Sequence, residues 1–244
     1  MPDRRRPPWW LAAVAVVLAV VGGAAAWRLR AHNRDNREDR LDMALVGDSF
    51  ADQAQASFLA HAQSAHQTAE VSAYGGIGVC DRVDQLADIA QRSPRVLVLS
   101  FAGNDITPCM LRTDQPSSPE ETADEYQSDF ERVLADFRAA SPHTRVYVVP
   151  PPPIRDAQFE TNAAAMRAMY GRLVDEFPDI TVVDVTGQLG PDDEFHASLP
   201  CEDWEADVCR PDGTVVLRED DGIHLSPAGA ERYTRALLAT INGG

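Results

Sequence analysis

A serine, a histidine and an aspartate in this sequence have the residue types of a nucleophile, its base and the group that orients the base. Ser49 lies in LVGDSFA (residues 45–51), and Asp221 precedes His224 in DDGIHLS. A serine hydroxyl attacks an ester only when a neighbouring base takes its proton. An imidazole can be that base near neutral pH while a carboxylate holds its other N–H. These residues indicate acyl transfer, although Ser49 alone has an alternative interpretation as the N-cap of an ordinary helix.

Two further stretches could supply hydrogen-bond donors to such a site. The GGIG at residues 75–78 offers backbone N–H groups without side chains, and the GND at residues 103–105 offers a side-chain amide. Donors of these kinds stabilise the oxyanion that forms when a nucleophile adds to a carbonyl. Each stretch is also typical of a simple turn. The case for function therefore depends on whether the fold brings all the stretches together.

Short apolar runs alternate with longer amphipathic stretches along the chain. The pattern predicts strands at residues 42–47, 69–75, 95–103, 144–150 and 180–185. It predicts helices at residues 50–66, 82–92, 119–140, 157–176 and 226–241, the last with Ser226 as its N-cap. Such alternation indicates a three-layer α/β/α sandwich around a five-stranded parallel sheet. Because ligands bind beyond the carboxyl ends of such strands, the four stretches are expected at one edge of the sheet.

Together the four stretches resemble the sequence blocks of the SGNH or GDSL hydrolase family. The GDS at residues 47–49, the GND at residues 103–105 and the Asp-x-x-His at residues 221–224 match three blocks, in the right order, over residues 41–242. Phe50 stands where the name-giving motif has leucine. Ala51 occupies the last position of the Gly-x-Ser-x-Gly elbow, so the α/β-hydrolase motif is absent. The resemblance implies a flavodoxin-like SGNH hydrolase fold.

The resemblance also implies an activity, namely ester hydrolysis through an acyl-enzyme. The implied triad is Ser49 as nucleophile, His224 as base and Asp221 as its partner. The implied oxyanion hole consists of the Ser49 N–H, the Gly76 N–H and the Asn104 side-chain amide, and Gly78 is the alternative to Gly76. No cofactor and no metal ion are expected.

The expected protein is therefore a serine esterase acting on a small acyl ester of a small molecule or a glycan. One alternative is an acyltransferase that passes the acyl group to an envelope glycan. The other is a binding module that keeps the fold without turnover.

The first forty residues differ in composition from the rest of the chain. Residues 1–8 are basic, residues 9–27 carry no charge, and residues 28–40 form a polar linker before a hydrolase domain at residues 41–244. The uncharged run has about the length of a spanning helix, for which about 20 apolar residues suffice. We expect a single-pass membrane anchor. A cleaved signal segment, which would leave a secreted protein, is the alternative.

All four cysteines lie in the downstream domain, at Cys80, Cys109, Cys201 and Cys209. Their spacing does not suggest a zinc site. An even number indicates two disulfides in an oxidising compartment, with Cys80–Cys109 and Cys201–Cys209 the favoured pairing and four unpaired thiols the alternative. Disulfides favour an extracytoplasmic domain. The arginines after the apolar segment favour the opposite orientation, because basic flanks tend to stay in the cytoplasm.

The formal net charge of −16 disfavours nucleic acid as a partner, because an acidic surface repels phosphate backbones. The expected partners are the acyl ester substrate and the membrane, through the N-terminal helix. The catalytic domain is expected to be monomeric. Residues 186–225 form a long irregular stretch, which indicates a functional loop or one held down by the Cys201–Cys209 pair.

Overall fold

In the computed structural model, which describes residues 41–110 and 118–243, five short strands form a parallel sheet. They are β1 (Met43–Gly47), β2 (Ala69–Ala73), β3 (Val96–Ser100), β4 (Arg145–Val148) and β5 (Ile180–Val182). Their spatial order is β2-β1-β3-β4-β5, and every neighbouring pair is parallel. The chain order reverses beside β1, so the turns after β1 and β3 meet where such folds bind ligands. The predicted five-stranded parallel sheet is confirmed.

Helices cover both faces of this sheet. They are α1 (Ser49–Ser64), α2 (Val83–Gln91), α3 (Pro119–Ala140), α4 (Ala157–Glu176), a short α5 (Thr186–Leu189) and α6 (Pro227–Gly243). The cores show which helices share a face: α2, α3 and α4 supply the apolar side chains of one core, and α1 and α6 supply most of those of the other. The three layers predicted from the sequence are therefore present.

The central strand β1 shows how the sequence builds two cores at once. Ala44 and Val46 face the α2–α4 layer, whereas Met43 and Leu45 face α1 and α6. Successive side chains of a strand point to opposite faces, so a strand buried on both sides must be apolar at every position. Gly47 ends the strand, and the position has no room for a side chain, because a Cβ there would overlap the Ser100 carbonyl oxygen of β3.

β3 ends at Ser100, three residues before the predicted limit of residue 103. The next N–H groups bind side chains instead of a neighbouring strand. The Phe101 N–H donates to the Tyr170 hydroxyl at 3.2 Å, and the Ala102 N–H donates to the Asp48 carboxylate at 2.6 Å. Because these acceptors lie outside the sheet, the chain turns away from it here. This turn brings the GND stretch over the start of α1.

The long stretch at residues 186–225 contains structure that the sequence did not predict. β6 (Ser198–Pro200) and β7 (Thr214–Val216) form an antiparallel hairpin, and the Cys201–Cys209 disulfide closes the loop between them. Inside that loop, Glu205 forms a bidentate ion pair with Arg232 of α6, at 2.7 and 2.6 Å. The ion pair holds the stretch against α6. The predicted disulfide alone would not do so, because both of its cysteines lie within the stretch.

Replacing Arg232 with methionine is expected to lower the free energy of unfolding by about 3–5 kcal/mol, because it leaves the Glu205 carboxylate buried without its partner. The two side chains are 3% and 0% exposed. Arg235→Met is the matched control, since Arg235 is on the same helix and its ion pair with Glu231 is solvent-exposed; such pairs contribute about 1 kcal/mol or less. Urea unfolding measures both. Equal stability of the two variants would contradict the anchoring role of the buried pair.

The second disulfide joins Cys80, before α2, to Cys109, so both pairs have the partners that were favoured from the sequence. Within residues 41–110 and 118–243 no helix has the length and apolarity needed to cross a membrane. The predicted basic segment (1–8), anchor (9–27) and linker (28–40) lie outside the described residues.

Candidate active site

Ser49 is the first residue of α1, directly after the turn that follows β1. The N-cap is Asp48, whose carboxylate accepts a hydrogen bond from the Phe50 N–H. The alternative interpretation of Ser49 as the N-cap is therefore wrong. A first helical residue has no intrahelical acceptor for its N–H, and the helix dipole there favours negative charge. Ser49 thus carries both a hydroxyl and a backbone donor at an electropositive point.

His224 and Asp221 lie in a tight loop just before α6. The Asp221 carboxylate accepts a hydrogen bond from the His224 ring Nδ1 at 2.6 Å and from the backbone N–H groups of Ile223 and His224 at 2.8 and 3.0 Å. Partial desolvation acts in the opposite direction, but these bonds lower the pKa of Asp221 to about 2. An ionised carboxylate on Nδ1 holds the imidazole with its other nitrogen, Nε2, directed away from Asp221.

Ser49, Asn104 and His224 line one cavity of about 140 Å³. Its wall is formed by the start of α1, the turns after β3 and β4, the first half of α4 and the loop before α6. The expected convergence at one edge of the sheet is therefore observed for three of the four stretches. Within the described part of the chain the Ser49 hydroxyl has no hydrogen-bond partner. Catalytic hydrogen bonds often form only when substrate binds, so an unbonded hydroxyl is compatible with a nucleophile.

The glycine stretch lies beside Ser49 but outside that wall. A Cβ on Gly75 would lie 3.7 Å from the Ser49 Cβ, so this turn borders the nucleophile. The Gly76 N–H has no acceptor among the described residues, and its φ of +75° suits glycine. Gly78 is buried, and its N–H donates to Asp81 at 2.9 Å. The geometry therefore disfavours the alternative donor Gly78, while Gly76 stays a prediction.

Asn104 reaches the site from the turn after β3. Its side-chain nitrogen donates to the Asp48 carboxylate and to the Ile77 carbonyl oxygen, each at 3.2 Å. The Tyr126 hydroxyl donates to the Asn104 carbonyl oxygen at 3.2 Å and so holds the backbone. Gly103 allows this turn because its φ is +93° and the Met166 side chain packs where a Cβ would be. The predicted oxyanion amide is thus tied to its neighbours in the ligand-free site.

Two residues that sequence reasoning missed hold the histidine loop in place. The Arg218 guanidinium is 2% exposed and donates to the carbonyl oxygens of Ile223 and Pro153 at 3.0 and 3.1 Å. Burial lowers the pKa of Arg218 to about 10, so it remains charged at neutral pH. Gln53 of α1 accepts a hydrogen bond from the Leu225 N–H at 2.7 Å. The helix that begins with Ser49 is therefore tied directly to the residue after His224.

The sequence held one indication of the role of Arg218, namely a basic residue in the segment between Val216 and Leu225. A charged side chain is rarely buried without a specific partner, so burial of this segment would imply such a contact. Nothing local distinguishes Gln53 from other polar residues of α1. Its role depends on a contact between residues 172 positions apart in the chain.

One cluster of potential metal ligands occurs among residues 41–110 and 118–243, formed by Cys80, Asp81 and Cys109. The two sulfurs are bonded to each other. A disulfide offers no thiolate, so a single carboxylate is left, which is too little to hold a metal ion.

The sequence and the fold both match known proteins. Residues 45–232 match the sequence model of the GDSL-like lipase/acylhydrolase family. No curated protein gives a significant match. Among solved structures, a catalytic mutant of an acetylxylan esterase from Geobacillus stearothermophilus superposes with a TM-score of 0.57 at 15% identity, covering 82% of this chain and 94% of that one.

Two further solved structures are similar at the same level. The C-terminal catalytic domain of a peptidoglycan O-acetyltransferase from Streptococcus pneumoniae has a TM-score of 0.53 and 16% identity, covering 84% of this chain and 94% of that one. A carbohydrate esterase family 3 protein from Talaromyces cellulolyticus has a TM-score of 0.53 and 15% identity, covering 83% of this chain and 97% of that one. At these identities the likeness shows a shared fold.

Proposed function

Because the chain belongs to the GDSL-like lipase/acylhydrolase family, we propose that it is a serine esterase that cleaves a small acyl ester through an acyl-enzyme on Ser49. The observation that carries the proposal is the cavity itself. Ser49, at the start of α1, and His224, held by Asp221, line the same wall together with Asn104. A nucleophile, a base with its orienting carboxylate and an amide donor around one small space are the requirements of acyl transfer.

The proposed reaction has two halves. In the first, Ser49 Oγ bonds to the ester carbonyl carbon while His224 Nε2 takes the hydroxyl proton, and the carbonyl oxygen becomes an oxyanion. The C–O bond to the alcohol then breaks, and the alcohol leaves with the proton from Nε2. In the second half a water molecule repeats these steps on the acyl-enzyme, releasing the acid and restoring Ser49. Asp221 stays ionised throughout and stabilises the transient imidazolium.

The size of the cavity supports a small acyl group. Its volume of about 140 Å³ is below the range of about 300–1,000 Å³ typical of pockets for drug-sized ligands. Ile154 and Phe159 give it an apolar side, and Asp105 places a carboxylate on its wall, which disfavours an anionic acyl group. An acetyl ester fits these limits. Acetylated carbohydrates are the substrates named for the acetylxylan esterase that shares the fold, and we extend the proposal to them.

The proposal includes a place for the domain, outside the cytoplasm and anchored through residues 9–27. Two disulfides support it, because such bonds persist in oxidising compartments. The apolar, uncharged run before the domain supports the anchor, with a secreted form as the alternative.

A fluorophosphonate probe tests the activity, because it phosphonylates a serine activated by a base far faster than an ordinary serine. We expect the full chain to gain one phosphonyl group, located on Ser49 by mass spectrometry. Ser57→Ala is the matched control and should label like the wild type, since Ser57 lies on the same helix but its hydroxyl is bonded to Glu231. Absence of labelling in the folded protein would contradict the proposal and favour a binding module.

The same chemistry tests the location and the acceptor. A membrane-impermeant form of the probe is expected to label intact cells, and labelling only after lysis would contradict the extracytoplasmic placement.

Product analysis with an aryl acetate and an added sugar acceptor should give free acetate. Acetylated sugar as the main product would replace the esterase by an acyltransferase with the same Ser49 chemistry.

A further inference from the structure

Asp48 is the most deeply buried carboxylate near the nucleophile, and the chemistry described above does not use it. Its exposure is 0%. One oxygen caps α1 through the Phe50 N–H, and the other accepts from the Ala102 N–H at 2.6 Å and from the Asn104 amide at 3.2 Å. No cation forms an ion pair with it within the described residues. A helix cap alone does not require this arrangement, since an exposed Ser or Asn would serve.

The bonds of the Asn104 amide give Asp48 a second role. The nitrogen has two hydrogens, and in the ligand-free site one is held by Asp48 and the other by the Ile77 carbonyl oxygen. An oxyanion on the cavity side of Asn104 must therefore replace one of these acceptors. The Ile77 carbonyl is the neutral, weaker acceptor, and charge-assisted hydrogen bonds are about twice as strong as neutral ones. The bond to Asp48 is the one that should survive.

We propose, on the basis of the proposed function, that Asp48 is a positioning residue for Asn104. Its ionised carboxylate holds one N–H of the Asn104 side-chain amide. The other N–H of that amide can then pass from the Ile77 carbonyl oxygen to the oxyanion without reorienting the amide. The Ala102 bond fixes the backbone of the same turn, so one carboxylate aligns both the start of α1 and the amide that faces it. A donor fixed in advance costs no reorganisation when the oxyanion forms, which is what makes such donors effective.

The charge on Asp48 should then control the contribution of Asn104. Burial raises the pKa of Asp48 to about 7, against the lowering effects of the Ala102 and Phe50 N–H groups and of His224. The other titratable groups that face it are the hydroxyls of three buried tyrosines, one each from α3, α4 and α6: Tyr126, Tyr170 and Tyr233. The pKa of each tyrosine is raised, so none of the three changes charge near neutral pH. Below about pH 7 the carboxylate takes up a proton, and its hold on the amide weakens.

A double-mutant cycle across pH tests the proposal on an aryl acetate with the full chain. The four proteins are the wild type, Asn104→Ala, Asp48→Asn and the double variant. At about pH 8 we expect Asn104→Ala to lower kcat about 10²- to 10³-fold in the wild-type background, as for loss of one oxyanion donor. In the Asp48→Asn background the same change should cost at least about tenfold less, because a neutral side-chain amide at this position accepts from Asn104 more weakly than a carboxylate does. KM should change little, since the bond strengthens only in the transition state.

The ratio of kcat for the wild type to kcat for Asn104→Ala isolates the effect of Asp48 on the amide. Any pH dependence of the rest of the catalytic machinery affects both proteins and cancels in the ratio, so the ratio should fall between about pH 8 and about pH 5 only if Asp48 controls the amide. A ratio that is constant with pH, or an equal effect of Asn104→Ala in both backgrounds, would overturn the proposal. If Asp48→Asn does not fold, the pH comparison alone decides, because it needs neither Asp48 variant.

Asp52→Asn is the matched control. Asp52 is an exposed carboxylate in the first turn of α1, so its removal changes the charge near the helix start without touching Asn104. Asn104→Ala should lower kcat by the same factor in the Asp52→Asn background as in the wild type. If Asp52→Asn reduced that factor as much as Asp48→Asn does, the coupling would come from general electrostatics and the proposal would be overturned. Failure of the proposed function would look different, since the wild type itself would then lack Ser49 labelling and ester hydrolysis.

Discussion

A Ser49→Ala variant is expected to hydrolyse a short-chain aryl ester about 10⁴- to 10⁶-fold more slowly than the wild type, because no acyl-enzyme can form. A small residual rate should remain, since the oxyanion donors and the binding cavity still act on a water attack. The fold should be unaffected. The Ser49 hydroxyl bonds to none of the described residues, and Asp48, not Ser49, caps α1. Initial rates and a thermal melt of the same preparation measure the two effects.

Ser64→Ala gives the matched control for this change. It removes a hydroxyl from the exposed far end of α1, where the side chain bonds the Ala60 carbonyl oxygen. We expect wild-type turnover for it. A Ser49→Ala protein that keeps more than about a tenth of the wild-type rate would show that another group performs the chemistry, because loss of a true nucleophile cannot be that small.

The site could be predicted from the sequence to the extent that it depends on strand ends. Each candidate catalytic stretch follows an apolar strand or precedes a helix, and the carboxyl ends of parallel strands all lie at one edge of the sheet. The strand and helix pattern was therefore enough to predict that residues as distant as Ser49 and His224 lie at one edge of the sheet, where they line one cavity. The pattern was strong because these strands are apolar on both faces and the helices are long.

The supporting contacts could not be predicted, because they join residues with no local signature. Asp48 stands next to Ser49 in the sequence, yet its bonds to Ala102 and Asn104 depend on where the turn after β3 passes. Arg218 and Gln53 act on the histidine loop from different elements. Such contacts are determined by how whole layers pack together, and a pattern of neighbouring residues carries no information about that packing.

The hairpin of β6 and β7 was missed for a different reason. Each strand has three residues, too few to show alternation, and Pro200 ends one of them. The segment is held by a disulfide and by the buried pair of Glu205 and Arg232, and such side-chain links need no regular sequence pattern. A long irregular stretch can thus be well anchored without a periodic signal.

Asp221→Asn is expected to lower kcat about 10⁴-fold with little change in KM, the second-largest effect expected here. An asparagine keeps the size of the side chain and can still accept the N–H groups of Ile223 and His224. It carries no charge to stabilise the imidazolium and permits the wrong ring tautomer. Hydrogen bonds hold the pKa of Asp221 at about 2, against partial desolvation, so the carboxylate is ionised at every pH at which the enzyme would be assayed. The loss should therefore appear across the neutral and alkaline range.

Asp220→Asn is the control that isolates this charge. Asp220 is the exposed neighbour of Asp221, and its backbone carbonyl oxygen, not its carboxylate, accepts a hydrogen bond from Arg155. Its variant should keep wild-type kcat, which would show that the effect comes from the carboxylate on His224 Nδ1 and not from net charge near the cavity. Equal losses in the two variants would point to general electrostatics. A loss below about tenfold in Asp221→Asn would mean that His224 is held in its working tautomer by other contacts, of which the Arg218 bond to Ile223 is the first to examine.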